Sequence, residues 1–364
     1  MKQPIFKYLK IFSKSSRERS KDIMQINPTA IPDRSEAQEI QVTAYDYSPA
    51  DVKCAKFDNV ISALDFKESN NTIWINIDGI RKADVEHIGT HFGIHPLLIE
   101  DALSIGQRPK MDEIDGILFC QLNMLYYNNS EHIVESEQIS IALGKNFVLS
   151  IQEDPYRDVF DSLRTKLKLS GSRVRQRGAD YLLYSMLDVI VDNYFIVMEK
   201  IAARIEELEE DIVQQTNSIS LLEINRLRKE LIVLQRNIIP VRDLISGIIR
   251  SDNELLEGGT LRYFKDISDH IIQAFELCEN YRDLLFALQD LYLNSVNLRL
   301  NEVMKFIAIV TCLMAPAAII GGIFGMNFDV IPYSHQQFGF YFAVGIMFTI
   351  PLIMLVYFKR RGWF

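Results

Sequence analysis

NEVMKFIAIVTCLMAPAAIIGGIFGMNFDVIPY, residues 301–333, is the stretch from which the rest of the chain is read. Residues 306–326 within it give about 21 positions without a charged side chain, enough to cross a hydrocarbon core of about 30 Å at 1.5 Å per residue. Residues 338–358 are a second run of the same kind, and the short 327–337 segment between them suits a loop joining antiparallel spans. That loop holds no Lys or Arg, whereas Lys359, Arg360 and Arg361 follow the second span, and Arg299 and Lys305 border the first. The asymmetry predicts a multi-pass inner-membrane protein with an external loop and both termini cytoplasmic.

Two helices cannot enclose a polar path, so a conducting hairpin requires a ring of identical subunits. At spacings of three and four, the first span presents Asn301, Met304, Ala308, Thr311, Ala315, Ala318 and Gly322, a small or weakly polar stripe. Small residues on a membrane helix also serve close helix packing. At the outer end of the stripe stand Gly325, Met326 and Asn327. Magnesium prefers an octahedron of oxygens and keeps several of its waters. A ring of Asn327 carboxamides offers neutral carbonyl oxygens to those waters, and neutral oxygens release the ion again. Gly325 lets the backbone approach and turn without an intruding side chain.

Gly325-Met326-Asn327 between two C-terminal spans resembles the CorA-type magnesium/cobalt transporter family, whose members are divalent cation channels. The likeness extends to Asn301-Glu302-Val303-Met304-Lys305, Pro316, the ending Lys359-Arg360-Arg361-Gly362-Trp363-Phe364, Gly93-Ile94-His95-Pro96-Leu97 before Glu100-Asp101, Gln107-Arg108-Pro109-Lys110, and Arg177-Gly178-Ala179-Asp180-Tyr181. It covers nearly the whole chain after about residue 40. The resemblance implies a funnel-shaped homopentamer in the cell membrane. In it Gly325, Met326 and Asn327 form the outer selectivity site, and Asn301, Met304, Thr311 and Ala315 line the pore. It also implies a regulatory magnesium shared between Asp101 of one subunit and Asp266 of the next, with Glu100, Asp188 and His270 as secondary candidates. Two positions depart from the family's pattern: Phe324 stands where Tyr is common, and Ile331-Pro332-Tyr333 where Met-Pro-Glu is common. The second change removes one negative charge per subunit from the mouth and leaves Asp329 there.

The 364 residues, 48% hydrophobic with a net charge of -9, fit a soluble body plus a small membrane part and argue against nucleic acid as a partner. Residues 1–34 form a basic tail, with seven Lys or Arg by Lys21 and no continuous apolar core of a signal peptide. Cys54, Cys120, Cys278 and Cys312 are isolated, which reads as reduced cysteines. Residues 35–170 alternate between strand and helix. Runs at 40–47, 72–78, 117–127, 137–143 and 147–152 are rich in β-branched and aromatic residues, and helices are expected at 80–92 and 96–102. An α/β domain of mixed topology follows. It carries no phosphate loop, zinc-protease motif or nucleophile elbow, so no enzyme activity and no organic cofactor are expected. His87, His91 and His95 recur every four residues, but Gly93 and Pro96 interrupt the helix that would align them as ligands.

Residues 171–257 read as a helical hairpin broken at Thr216-Asn217-Ser218, with an acidic tip at Glu206, Glu207, Glu209, Glu210 and Asp211. After Gly258-Gly259-Thr260 no strong breaker precedes Pro316, so residues 258–326 are expected as one stem helix of about 65 residues that continues into the first span. The domain order is thus 1–34, 35–170, 171–257, 258–326, loop 327–337, second span 338–358 and basic C-terminus 359–364. The function expected from all of this is influx of magnesium, with cobalt or nickel, down the membrane potential and under control of cytoplasmic magnesium. The alternatives are a zinc-transporting relative of the same architecture and a non-conducting, membrane-anchored helical scaffold or sensor.

Overall fold

The computed structural model describes residues 36–154, 157–214, 218–326, 336 and 338–363. The basic tail, Asn327, Asp329 and Tyr333 lie outside the described residues. The chain divides into two compact units, one of residues up to Leu208 with Leu222–Phe286, the other of Glu209–Leu221 with Ala287–Phe364.

A seven-stranded sheet organises the first unit. In chain order its strands are β1 (Gln41–Tyr47), β2 (Val52–Phe57), β3 (Thr72–Asp78), β4 (Lys110–Ile114), β5 (Ile117–Asn128), β6 (Ile133–Leu143) and β7 (Phe147–Gln152), arranged β2-β1-β3-β7-β6-β5-β4. Every neighbouring pair is antiparallel except β3 and β7, where Ile73 to Asp78 run in parallel register with Phe147 to Gln152. The two strands that the hydrophobic pattern does not announce, β2 (VKCAKF) and β4 (KMDEI), are the outer edges of the sheet. Charged side chains on an edge discourage pairing with foreign strands and also erase the apolar alternation.

The period of two sorts the side chains to opposite faces. Ile73, Ile75, Ile77, Leu149 and Ile151 join a core closed by the 3-10 turn Ile61–Glu68, by α1 (Lys82–Phe92) and by α2 (Pro96–Leu103), through Ala63, Val85, Ile88, Leu98 and Ala102. Gly93, at φ 74°, ends α1 in the left-handed conformation. Two residues later the His95 Nδ1 accepts from the Leu97 N–H at 3.2 Å and so caps α2, with Pro96 in its first turn. On the opposite face Tyr45 stacks on Trp74 at 5.2 Å, and Trp74 meets the edge of Phe160. Arg164, from α3 (Asp161–Lys168), lies over the Trp74 ring.

The short α4 (Arg173–Gln176) leads to α5 (Ala179–Gln214) and α6 (Ser218–Arg250), which run through both units. In the first unit they are fixed to the β5–β6 hairpin. The Tyr194 hydroxyl donates to Asn123 O at 2.6 Å, Asn123 Nδ2 to Asn237 Oδ1 at 2.7 Å, and the Val134 N–H to Glu230 Oε2 at 2.6 Å. Arg204 joins the two helices by pairing with Glu207 and with Glu223. The helix α7 (Leu261–Phe324) is 64 residues long, about 96 Å at 1.5 Å per residue. Its first part buries Phe264, Ile267, Ile271, Ala274, Cys278 and Leu285 completely, all within the first unit. That is the stripe at spacings of three and four which a helix uses to pack on a core.

The second unit holds the rest of α7 and α8 (Gly339–Arg360). Three described helices are long and apolar enough to cross a membrane, and burial separates them. The apolar window of α5 is 61% buried inside the protein, whereas those of α7 and α8 are 6% and 11% buried. A helix apolar all round and left uncovered suits lipid, while α5 is a core helix. After α8, Gly362 turns the chain at φ 70° and Trp363 stacks back on Phe358 at 5.1 Å.

Candidate functional site

Asp188 and Asp192 are one helical turn apart on α5 and face His270 on α7; one ligand atom from each lies within 4.8 Å of the others. Among the described residues this is the one group of three or more His, Cys, Asp or Glu placed so closely. Burial pushes the Asp188 carboxyl up, Asp192 adds repulsion, His270 opposes it, and Asp266, one turn before His270 on α7, adds more repulsion. The Tyr184 hydroxyl also titrates far above its usual range, through burial first and then the charge of Asp188, with Asp266 contributing. The Phe195 ring stands edge-on to His270, whose Nδ1 is buried with no hydrogen-bond partner. Carboxylates that repel one another beside an imidazole with a free nitrogen form a donor set for a divalent cation, which would relieve the repulsion. Three of the residues named from sequence, Asp188, Asp266 and His270, thus meet in one chain. Asp192 was missed, although its four-residue spacing from Asp188 is legible on an amphipathic helix.

Asp101 has a different environment. Its carboxylate is bound by Lys110 at 2.6 Å, its backbone oxygen accepts from Gln121 Nε2 at 3.0 Å, and Lys110 also reaches Asp112 at 3.1 Å. Neither Asp101 nor Glu100, which is exposed on α2, belongs to the Asp188 group. The expected sharing of an ion by Asp101 and Asp266 concerns two different subunits. The three spaced histidines do not converge: His95 caps α2 and His91 packs against Phe92.

In the second unit Asn301, Met304 and Thr311 are exposed on α7 and Ala315 is half-exposed. Thr311 satisfies its hydroxyl on Ile307 O at 2.8 Å. Gly325 does not use a left-handed backbone, and its N–H still donates to Gly321 O at 2.9 Å, so the chain keeps its helical course for one residue beyond α7. Gly325 is the turn residue that follows α7, with a bend at Met326, and glycine adds no side chain there. Met326 follows, exposed, while Asn327 lies outside the described residues.

Residues 69–360 match the family of the CorA-like Mg2+ transporter protein. The chain belongs to this family. It is 38% identical over 327 residues to the cobalt/magnesium transport protein CorA of Thermotoga maritima, covering 90% of this chain and 93% of that one. To the putative metal ion transporter YfjQ of Bacillus subtilis it is 32% identical over 293 residues, 80% and 89% of the two chains. The complete structure of the CorA magnesium transporter from Methanocaldococcus jannaschii superposes with a TM-score of 0.74 at 23% identity, over 89% of this chain and 98% of the other. An α/β domain, a long helix and C-terminal apolar helices are common to both. The cytoplasmic domain of ZntB from Vibrio parahaemolyticus has the same fold at a TM-score of 0.55 and 15% identity, covering 71% of this chain and 98% of that one. The family is one of membrane transporters, and the chain is a metal-ion transporter of the CorA type.

Proposed function

We propose that the chain assembles as a funnel-shaped homopentamer in the inner membrane, with both termini cytoplasmic. It conducts hydrated magnesium, and with it cobalt or nickel, into the cytoplasm. The observation that carries this reading is the apolar part of α7, only 6% buried in a single chain, which nevertheless carries the exposed polar residue Thr311, with Asn301 exposed on the same helix just before that part. A polar stripe on an uncovered membrane helix is stable when copies of the same helix turn it towards a shared aqueous path. Asn301, Met304, Thr311 and Ala315 then line the path, and Gly325, Met326 and Asn327 form its outer, neutral-oxygen filter. The membrane potential supplies about 2.3 kcal/mol per charge per 100 mV for inward movement.

Cytoplasmic magnesium would close the ring by bridging Asp101 of one subunit and Asp266 of the next, with Glu100 nearby. The group of Asp188, Asp192 and His270 supports this reading because it places further acidic and imidazole ligands within one turn of Asp266 on α7. The imidazole also keeps a zinc-handling reading in view, since nitrogen donors suit transition metals better than magnesium.

Influx of magnesium into liposomes containing the purified protein tests the proposal, with internal magnesium varied and Asn327→Ala as control. Selective flux is expected to vanish in the variant while the oligomer persists, and wild-type flux is expected to fall as internal magnesium rises. Unchanged flux in Asn327→Ala would remove the filter assignment. Zinc flux without magnesium flux would favour the zinc reading, and absence of any flux from a folded oligomer the scaffold.

A further inference from the structure

On the sheet face opposite the α1–α2 core, a buried ionisable side chain has no ion pair among the described residues and lies outside the cation-handling groups. Glu137, on β6, is 4% exposed. Its Oε1 accepts from the backbone N–H groups of Glu153, at 3.0 Å, and Asp154, at 2.8 Å, the two residues that follow β7. Its Oε2 is buried with no hydrogen-bond partner.

The charged and titratable groups around it come from β5, β6 and the chain after β7. Glu135, two residues earlier on β6, is paired with Arg157 and accepts from Asn128 Nδ2 at 2.9 Å. Arg157 also reaches Asp154 at 3.5 Å, so its charge is engaged by these two acids. Tyr126, on β5, donates to Arg157 O at 3.3 Å, and burial together with Glu137 holds its hydroxyl protonated well above the usual range. Glu153 and Asp154 bring their own negative charges towards Glu137. Burial chiefly, and these two charges, push the Glu137 carboxyl up to about 7 against the pull of the two N–H donors.

We propose that Glu137 is a proton-responsive latch on the chain that leaves β7 towards α3. Ionised, it repels the side chains of the very residues whose amides it binds, and its second oxygen bears buried charge that neither amide reaches. On taking up one proton it loses one unit of charge and keeps Oε1 as acceptor for both amides. Oε2, the oxygen bound by neither amide, then carries the proton, and no covalent bond within the chain changes. A carboxyl raised in the folded state holds this junction closed below neutrality, and the hold weakens as pH rises through the folded value. The α/β domain thereby registers cytoplasmic acidity through a group distinct from the cation ligands.

Hydrogen exchange read by mass spectrometry tests this on the full-length protein in detergent, at about pH 6 and about pH 8, after correction for intrinsic exchange. Titration at about 7 predicts that the peptide joining β7 to α3 loses about tenfold in protection between the two conditions. Glu137→Gln, which keeps the acceptor oxygen and cannot ionise, is expected to show no such loss. Asp78→Asn, which changes another buried acid on the same sheet face, is expected to retain it. Wild-type protection that does not change with pH would overturn the proposal, as would a loss that persists in Glu137→Gln or disappears in Asp78→Asn. The wild-type and Asp78→Asn comparison decides the matter even if Glu137→Gln does not fold.

Discussion

Replacing Lys110 by Met is expected to tighten the response to cytoplasmic magnesium. Lys110 Nζ sits 2.6 Å from Asp101 Oδ2 and 3.1 Å from Asp112 Oδ2, and the side chains of Lys110 and Asp101 are 35% and 18% exposed. Burial works against the Lys110 charge, but the bonds to Asp101 and Asp112 outweigh it and push its pKa up. The ammonium is therefore present at working pH, and a cation arriving at Asp101 has to displace it. For a pair this accessible, the interaction to be broken is about 0.2–1 kcal/mol. Since 1.4 kcal/mol corresponds to tenfold, its removal lowers the half-inhibiting magnesium concentration by about 1.4- to fivefold. The charge released on Asp112 acts in the same direction.

The assay is magnesium influx into liposomes at graded internal magnesium, accompanied by protease protection across the same series. Met keeps most of the apolar stem of Lys110, so a folding defect is not expected to mask the shift. Lys110→Arg, which restores a cation to Asp101, is expected to return the midpoint towards wild type. A midpoint in Lys110→Met that is unchanged or raised would refute the reasoning: either Asp101 is not a ligand, or Lys110 serves to position it. The Arg variant separates these, because a positioning role predicts rescue of a raised midpoint and a non-ligand predicts no response in either variant.

Two further outcomes concern stability. Asp78 is 4% exposed, and its Oδ1 accepts from Asn76 Nδ2 and Gln152 Nε2, both at 2.8 Å. Burial first, then the charge of Asp158, pushes its carboxyl from 3.8 up to about 6. Its contribution to stability is therefore complete below about pH 4 and is lost as pH rises through about 6. Asp78→Asn is expected to flatten thermal stability against pH by up to about 1.4 kcal/mol per unit between about pH 4 and about pH 6, and a slope equal to wild type there would count against the assignment. Gly144→Ala would put a Cβ 2.2 Å from Phe147 Cε1, in a ring packed 4.8 Å from Phe92. The expected cost is about 1–3 kcal/mol of overpacking, read by denaturant unfolding, and an unaltered midpoint would show that the ring moves freely.

The membrane hairpin, the stem helix and the inner strands were legible because burial or lipid demands long apolar patterns that any reader of the chain meets in order. The strands β3 and β7 fall where their β-branched runs are, at Thr72–Asp78 and Phe147–Gln152. Strands β2 and β4 escaped because an edge has one pairing side and fills the rest with charge. His95 shows how local chemistry can imitate a site: its spacing from His91 matches that of metal ligands, yet the glycine and proline around it start a new helix that the imidazole caps.

The candidate sites divide along another line. Asn327 and Gly325 could be proposed from sequence because the filter they would form is contiguous in the chain, and its chemistry would reside in residue type and position between two spans. The cytoplasmic group could not be assembled in the same way. Asp192 and His270 are separated by two helix turns-back in the chain and become neighbours only when α5 and α7 pack side by side. Glu137 is harder still to find, since what distinguishes it is that the nearby Arg157 is engaged by Glu135 and Asp154, which no motif records. Pairs such as Lys110 and Asp101 lie between these cases: nine residues apart, both visible, but uninterpretable until β4 returns beside α2 and makes the lysine a competitor for the ion that the aspartate is proposed to hold.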